Sequence, residues 1–341
     1  MLDNKEAKKQ GNKDNNMSLT PNQLQTLKQA LPNIIENEPM SKHTNFRIGG
    51  PARLYLVASN SDELVAAVHA AESSRASWFV FGGGSNLLVS DKGYEGLMIQ
   101  AANRAITING ASVVCESGAI TSLVARKSAD ASLTGFEWAA GLPGTIGGAI
   151  FGNGGCFGGE MKDSVVKVDA YRIADATRVT YTNVECRFGY RDSLFKHERH
   201  VILGCELALK TADASASLAR ISEINTLRKE KQPLGDSSAG CMFKNFEYQD
   251  ESEISLLKRE TDVPADMLAA KRIASGWLVE HAGLLGERIG RVAVSEKHGN
   301  FLVNSGDATA DEVAQLVSLC QTRIRDRFGI RLQTEVQFVG F

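Results

Sequence analysis

The 341-residue chain predicts a mixed α/β (α+β) protein of two or three domains, and three observations carry that prediction. A strand–helix–strand pattern runs directly into the triple glycine of "ASWFVFGGGSNLLVSD". From residue 96 to about 210, apolar and polar residues then alternate with a period of two between Gly, Asn and Asp turns, the signature of β-strands. Beyond that, helical and strand periods alternate again to the C-terminus.

In chain order, "MLDNKEAKKQGNKDNN" has no apolar core and reads as a solvated, disordered tail (1–17) rather than a signal peptide, with Met17 an alternative start. "TPNQLQTLKQALP" predicts a helix with Thr20 as N-cap and Pro21 in its first turn. "SKHTNFRIGGPARLYLVAS" predicts a turn and a strand, and "SDELVAAVHAAESS" a helix capped by Ser61. The strands "GLMIQ", "AITING", "SVVCESG", "VVKVDAYRI", "RVTYTNV" and "HVILGCELAL" follow, interrupted by a helix at "TSLVARKSADASL" and by the glycine-dense "GFEWAAGLPGTIGGAIFGNGGCFGGE". Trp138, Phe151 and Phe157 in that segment argue against a flexible linker. So much glycine implies backbone that turns at positive φ or closely approaches a ligand. A helix over "SASLARISEINTLRKEKQP" stops at Pro233, and a domain boundary is expected near its start. A charged segment, a single helix over "DMLAAKRIASGWLVEHAG", a strand over "RVAVSEKHGNFLVN", an amphipathic helix over "DEVAQLVSLCQTRIRDRF" and a last strand "RLQTEVQFVG" complete the chain.

Bulk composition narrows the function. A formal net charge of −2 gives no global field to draw the chain to nucleic acid or an anionic membrane, so neither partner is expected. No apolar run approaches the roughly 20 residues that cross a bilayer, and a cytoplasmic location is expected. The six cysteines are scattered singly, which excludes a disulfide framework or a zinc cage, and most should be reduced and buried. His197 and His200 in "HERH" lack an evident ligand partner and read as solvated surface; no metal site is expected.

"FGGGSNLLV" is neither a dinucleotide fingerprint nor a Walker loop, yet consecutive glycine amides with Ser85 and Asn86 can form an anion-binding nest. A second glycine-rich segment, "GLPGTIGGAIFGNGG", suits a large cofactor with a diphosphate and a flat ring. By pattern alone Cys241 in "SSAGCMFKN" reads as a buried hydrophobe, Arg191 as a surface salt bridge or cation–π partner, and Glu335 as an exposed strand carboxylate.

Together "TNFRIGGPA", "FGGGSNLLVSD", "GLPGTIGGAIFGNGG", "FGYRDSLFK", "SSAGCMFKN", "SGWLVEHAGLLGERIGRVAVSEKHGNFLVN" and "TEVQF", in this order over residues 41–341, resemble the UDP-N-acetylenolpyruvoylglucosamine reductases. The resemblance implies an FAD-binding domain of the vanillyl-alcohol-oxidase (PCMH) type over 18–215, in two lobes of about 18–95 and 96–215. It also implies a C-terminal α/β substrate-binding domain over 216–341. FAD is the implied cofactor, NADPH the co-substrate and the enolpyruvyl ether of UDP-N-acetylglucosamine the substrate, in a monomer or weak oligomer.

Carried over by position, the resemblance assigns Arg191 to the enolpyruvyl carboxylate, Glu335 as its partner, and Cys241 as the proton donor where most relatives have serine. It assigns Arg47, Gly82, Gly83, Gly84, Ser85, Asn86, Leu87, Gly141, Thr145, Gly147, Gly148, Asn153 and Arg228 to the cofactor. Tyr190, Lys231, Asn245 and His281 match positions that meet substrate, His281 standing where some relatives have Gln. Outside the resemblance, another FAD-dependent sugar or lactone oxidoreductase and a non-catalytic nucleotide-sugar module remain open.

Overall fold

The computed structural model describes residues 18–341. The readings made for the tail and for Met17 lie outside the described residues.

The first lobe begins with helix α1 (Pro21–Ala30), where Thr20 and Gln23 form a reciprocal capping box and Pro21 occupies the first turn. Strand β1 (Ile35–Pro39) is antiparallel to β2 (Pro51–Ala58), and helix α2 (Ser61–Ser73) crosses over to β3 (Trp78–Phe81). Asn60, not Ser61, caps α2: its side chain accepts the N–H of Glu63. After the triple glycine come β4 (Leu87–Val89) and β5 (Tyr94–Ala101). The sheet runs β1-β2-β5-β3, with β2, β5 and β3 parallel, as a strand–helix–strand crossover requires.

The strands expected in the middle of the chain form one sheet, and every pairing in it is antiparallel. β6 (Ile106–Asn109), β7 (Ser112–Glu116), β8 (Val165–Arg172), β9 (Thr177–Thr182) and β10 (His200–Ala208) assemble in the order β9-β8-β10-β7-β6. One face packs on α3 (Thr121–Asp130), the short α4 (Ile146–Phe151) and α5 (Ala214–Lys231). The other lends Tyr171, Val201 and Leu203 to the core of the first lobe. A boundary is expected near residue 215, but α5 carries Leu218 and Ile221 into the core of the middle lobe. Its packing therefore sides with that lobe.

In the last third, the single helix expected over 266–283 is broken in two. A five-residue helix, Ala265–Ala269, is followed by Lys271 at φ 49°, and Arg272–Ile273 pairs with Phe246–Glu247 before α6 (Ser275–His281) begins. The segment read as one strand over 291–304 is a hairpin, β11 (Val292–Val294) with β12 (Leu302–Asn304). Helix α7 (Ala310–Phe328) buries the predicted stripe of Val313, Leu316, Val317, Cys320, Ile324 and Phe328, and Gly329 ends it at φ 74°. The final strand β13 (Gln337–Val339) leaves this third of the chain and pairs in parallel with β4 of the first lobe. Phe46, Ile48 and Leu88 of the first lobe lie in the C-terminal core, while Val339 lies in the core of the first.

Of the histidine pair expected at the surface, His197 is exposed beside Asp192. His200 is only 5% exposed, with Nε2 2.7 Å from the Tyr181 hydroxyl.

Candidate active site

A cavity of about 610 Å³ lies where the three parts of the chain meet. Its volume is in the range that holds a large organic ligand.

One end has walls of backbone. Gly82–Leu87 form one side, with Gly141, Thr145, Gly147 and Gly148 opposite, and the Ser85 hydroxyl donates across to the Pro143 carbonyl at 3.3 Å. A Cβ on Gly82 would collide with the Thr145 hydroxyl, and Gly84 has φ 64°, where a Cβ would run into the His43 carbonyl. These two glycines are required by close approach and by backbone hand respectively. At Gly83 and Gly148 an added Cβ would meet nothing closer than 3.6 Å, so side chains there would fill the cavity itself. The exposed Arg47 and the part-buried Arg228 stand along this wall. Burial lowers the Arg228 pKa and Cys156 opposes that shift; its Nε donates to Gln232 Oε1 at 3.2 Å. Two glycine walls with flanking cations fit the diphosphate and ring of an FAD.

The other end is made of side chains. Tyr190 and Arg191 form the tip of a tight turn closed by reciprocal bonds between Gly189 and Asp192, and Arg191 is held at φ 50°. A left-handed arginine is uncommon and costs backbone energy, which the turn and its ion pair must offset. Arg191 Nε lies 2.8 Å from Glu335 Oε1, and its Nη2 donates to the Gly155 carbonyl at 3.1 Å. Cys241 follows Gly240, at φ 78°, in a segment clamped from both sides. Met242 donates its N–H to the Asn300 carbonyl at 2.7 Å and accepts the Glu335 N–H at 2.8 Å. The buried Asn300 amide holds Phe243 through both its backbone groups.

Electrostatics follow from this packing. Burial pushes the Cys241 thiol up to about 12; Glu335 adds to the shift while Arg191 opposes it. Burial also raises Glu335, with Arg191, Lys196 and Lys244 pulling it back. For Arg191, burial disfavours the charge, but Glu335, Tyr190 and the two thiols Cys241 and Cys156 outweigh it and its pKa rises. The end therefore holds a protonated thiol beside a fixed guanidinium, the arrangement of an acid next to an anion-binding fork.

The residues expected at catalysis, Arg191, Cys241 and Glu335, all line this cavity. So do all the expected cofactor residues except Asn153. Asn153 is 1% exposed, and its amide is spent on structure. It donates to Glu160 at 2.7 Å and to the Gly189 carbonyl at 2.8 Å, bracing the turn that carries Arg191.

The expected substrate residues lie outside the cavity wall. Tyr190 accepts the Asn245 N–H at 3.0 Å, and its ring sits 4.2 Å from the Arg272 guanidinium carbon. Asn245 Oδ1 caps Ser275 at the start of α6. Lys231 is exposed at the end of α5, and the His281 ring stacks on Trp277 at 3.9 Å.

Sequence reasoning missed Lys196, Asn300 and the loop Gln232–Gly240, which closes the cavity from the C-terminal side. Lys196 had a signal: a lysine between the apolar "LF" and the surface histidine of "SLFKH". Asn300 had none. Among the described residues no three His, Cys, Asp or Glu side chains form a group that could hold a metal ion.

Residues 52–182 match the family described as FAD binding domain, and residues 232–339 the family described as UDP-N-acetylenolpyruvoylglucosamine reductase, C-terminal domain. The chain is 36% identical over 307 residues to the UDP-N-acetylenolpyruvoylglucosamine reductase of Caldanaerobacter subterraneus subsp. tengcongensis, covering 89% of this chain and 93% of that protein. It is 37% identical over 310 residues to the enzyme of the same name from Alkaliphilus oremlandii, covering 90% and 93%. The crystal structure of UDP-N-acetylenolpyruvylglucosamine reductase from Thermus caldophilus superposes with a TM-score of 0.69 at 29% identity, covering 90% of this chain and 98% of that one.

Proposed function

We propose that this chain, which belongs to the UDP-N-acetylenolpyruvoylglucosamine reductase family, uses Cys241 as its proton donor, Arg191 as its carboxylate anchor and Glu335 as the partner that orients Arg191. The protein is an FAD-dependent oxidoreductase that uses NADPH to reduce the enolpyruvyl ether of UDP-N-acetylglucosamine to UDP-N-acetylmuramate for peptidoglycan synthesis.

When bound, FAD supplies the hydride that adds to the terminal vinyl carbon. Gly82–Leu87 and the Gly141–Gly148 wall would hold it, with Arg47 and Arg228 as flanking charges. The work of this chain's own residues lies at the other end. Addition at the vinyl carbon throws negative charge onto the α-carbon and its carboxylate. The planar fork of Arg191, held against Glu335, is fixed before that charge develops and stabilises it without reorganising. The Cys241 S–H then breaks, its proton forms the new C–H bond at the α-carbon, and the thiolate left behind regains a proton from solvent.

The observation that carries this reading is the thiol itself. Cys241 lines the cavity with Arg191 and Glu335, and burial holds its pKa near 12, so it keeps its proton at neutral pH. The test is NADPH oxidation by the purified flavoprotein with the enolpyruvyl sugar nucleotide as acceptor. Turnover with simple sugars and oxygen, but none with that substrate, would overturn the reading.

Among the described residues no helix is long and apolar enough to cross a membrane. We read the protein as cytoplasmic, without a nucleic-acid partner, and as a monomer or weak oligomer; the near-neutral charge supports the second of these. Sedimentation at micromolar concentration tests the last.

A further inference from the structure

Lys196 sits on the one-turn helix Leu194–His197 and is only 7% exposed. The helix is docked rigidly: Ser193 donates its hydroxyl to the Phe151 carbonyl at 2.7 Å, and Leu194 its N–H to the Cys186 carbonyl at 2.8 Å. The ammonium lies 5.6 Å from the centre of the Phe151 ring, on the wall of the same cavity as Arg191, Glu335 and Cys241. Of the other lysines and arginines described on that wall, Arg47 is exposed and Arg191 and Arg228 are part-buried, so Lys196 is the most deeply buried of the four. A lysine so placed is costly unless an anion compensates it. Glu335 is such an anion, and it interacts electrostatically with Lys196.

We propose that Lys196 is a positioning residue of the reductase reaction, a second cation set against Glu335 that leaves the reacting end of the cavity with one net positive charge for the substrate carboxylate. Arg191 and Glu335 alone make a neutral pair. A carboxylate arriving there would be an uncompensated charge in a buried site, or would drive Glu335 to take up a proton and loosen Arg191. With Lys196, the incoming carboxylate brings the end to neutrality, and the charge that develops during reduction still faces two cations. Around Glu335 the other groups that bear on its protonation are Arg191, Lys244, Cys241 and Tyr190. Of these only Arg191 and Cys241 line the cavity, and Lys244 is part-exposed, where water screens it.

The inference rests on the function proposed above, and the test separates the two. Lys196→Met and Lys196→Arg are compared with wild-type holoenzyme by stopped-flow flavin absorbance between pH 5 and 9, each half-reaction apart. Lys196→Met should leave flavin reduction by NADPH within about twofold and slow reoxidation by the enolpyruvyl substrate on the order of 10²-fold, the scale of losing one electrostatic stabiliser. It should also move the acidic limb of the reoxidation profile to higher pH, because Glu335 then keeps its proton longer; Lys196→Arg should leave the limb in place. A folded Lys196→Met variant with the wild-type limb would overturn the proposal. Equal losses in both half-reactions, or an arginine variant whose limb moves as far as that of the methionine variant, would overturn it as well. If the wild-type flavin is not reoxidised by this substrate at any pH, the function itself fails, which is a different result.

Discussion

The two ends of the cavity are built on opposite principles. At the glycine-walled end the chain contributes backbone, in two continuous segments, Gly82–Leu87 and Gly141–Gly148, and shape does the work. At the reacting end it contributes side chains from three distant places, Arg191 on a turn, Cys241 in a clamped segment and Glu335 near the C-terminus. There the work is done by charge. A wall of backbone fails where it has no room for a methyl, as at Gly82 and Gly84. A constellation of side chains fails when a donor or a fixed fork of charge is lost.

That contrast can be tested most severely at Cys241. Cys241→Ala should slow substrate-dependent flavin reoxidation by on the order of 10³-fold, the usual worth of a placed general acid, while flavin reduction by NADPH stays near wild type. Cys241→Ser should keep much of the rate. An alanine variant reoxidised at the wild-type rate would remove the donor assignment.

Next in size, Arg191→Lys keeps the charge but loses the planar fork, and should cost about 10²-fold in kcat/KM for the enolpyruvyl substrate. Unchanged steady-state kinetics would show that a point charge suffices and that the held geometry at φ 50° has no catalytic value.

At the other end, Gly82→Ala drives a methyl into Thr145 and should lower stability by about 1–3 kcal/mol and release flavin, seen as a lower Tm and a paler protein. If the variant binds flavin normally and melts with wild type, the backbone wall is softer than its packing implies.

The smallest effect is in the alkaline range. The Cys241 thiol titrates near 12 when folded and at about 8.5 when unfolded, so its pKa is raised by folding. Its contribution to stability is complete below about pH 8.5 and is lost as pH climbs toward 12. Denaturant melts from pH 7 to 10 should therefore show wild type losing stability faster than Cys241→Ala. Parallel losses would mean that the thiol is not desolvated.

The same contrast explains what could be read in advance. The strand–helix–strand start and the run of middle strands follow from local period and turn chemistry, whereas β1 (Ile35–Pro39) and β4 (Leu87–Val89), short and partnered only through the fold, gave no such signal. Glycine walls are contiguous, so a sequence displays them. The helix expected over 266–283 fails because its apolar spacing satisfies both a continuous helix and a turn, a strand and a shorter helix; tertiary pairing of Arg272–Ile273 with Phe246–Glu247 decides it. Glu335 read as an exposed strand carboxylate because alternation reports only which face a side chain takes. It cannot report that Arg191, Cys241 and Lys196 converge on that face. Asn153 shows the same limit: it lies within the second glycine-rich segment, and its amide holds the Arg191 turn from behind, a contact no local pattern displays.

The parallel pairing of Gln337–Val339 with Leu87–Val89 joins residues some 250 positions apart, and the Asn86 amide donates to the Glu335 carbonyl across a separation of 249. Contacts this remote in sequence form late, since the loop they close must first be ordered. The glycine loop is thus framed on one side by a strand made some 250 residues after it. A growing chain can complete its middle sheet early, but its glycine loop and Glu335 fall into place together. A chain cut short before residue 335 would therefore lose Glu335 and the strand that frames its glycine loop at once.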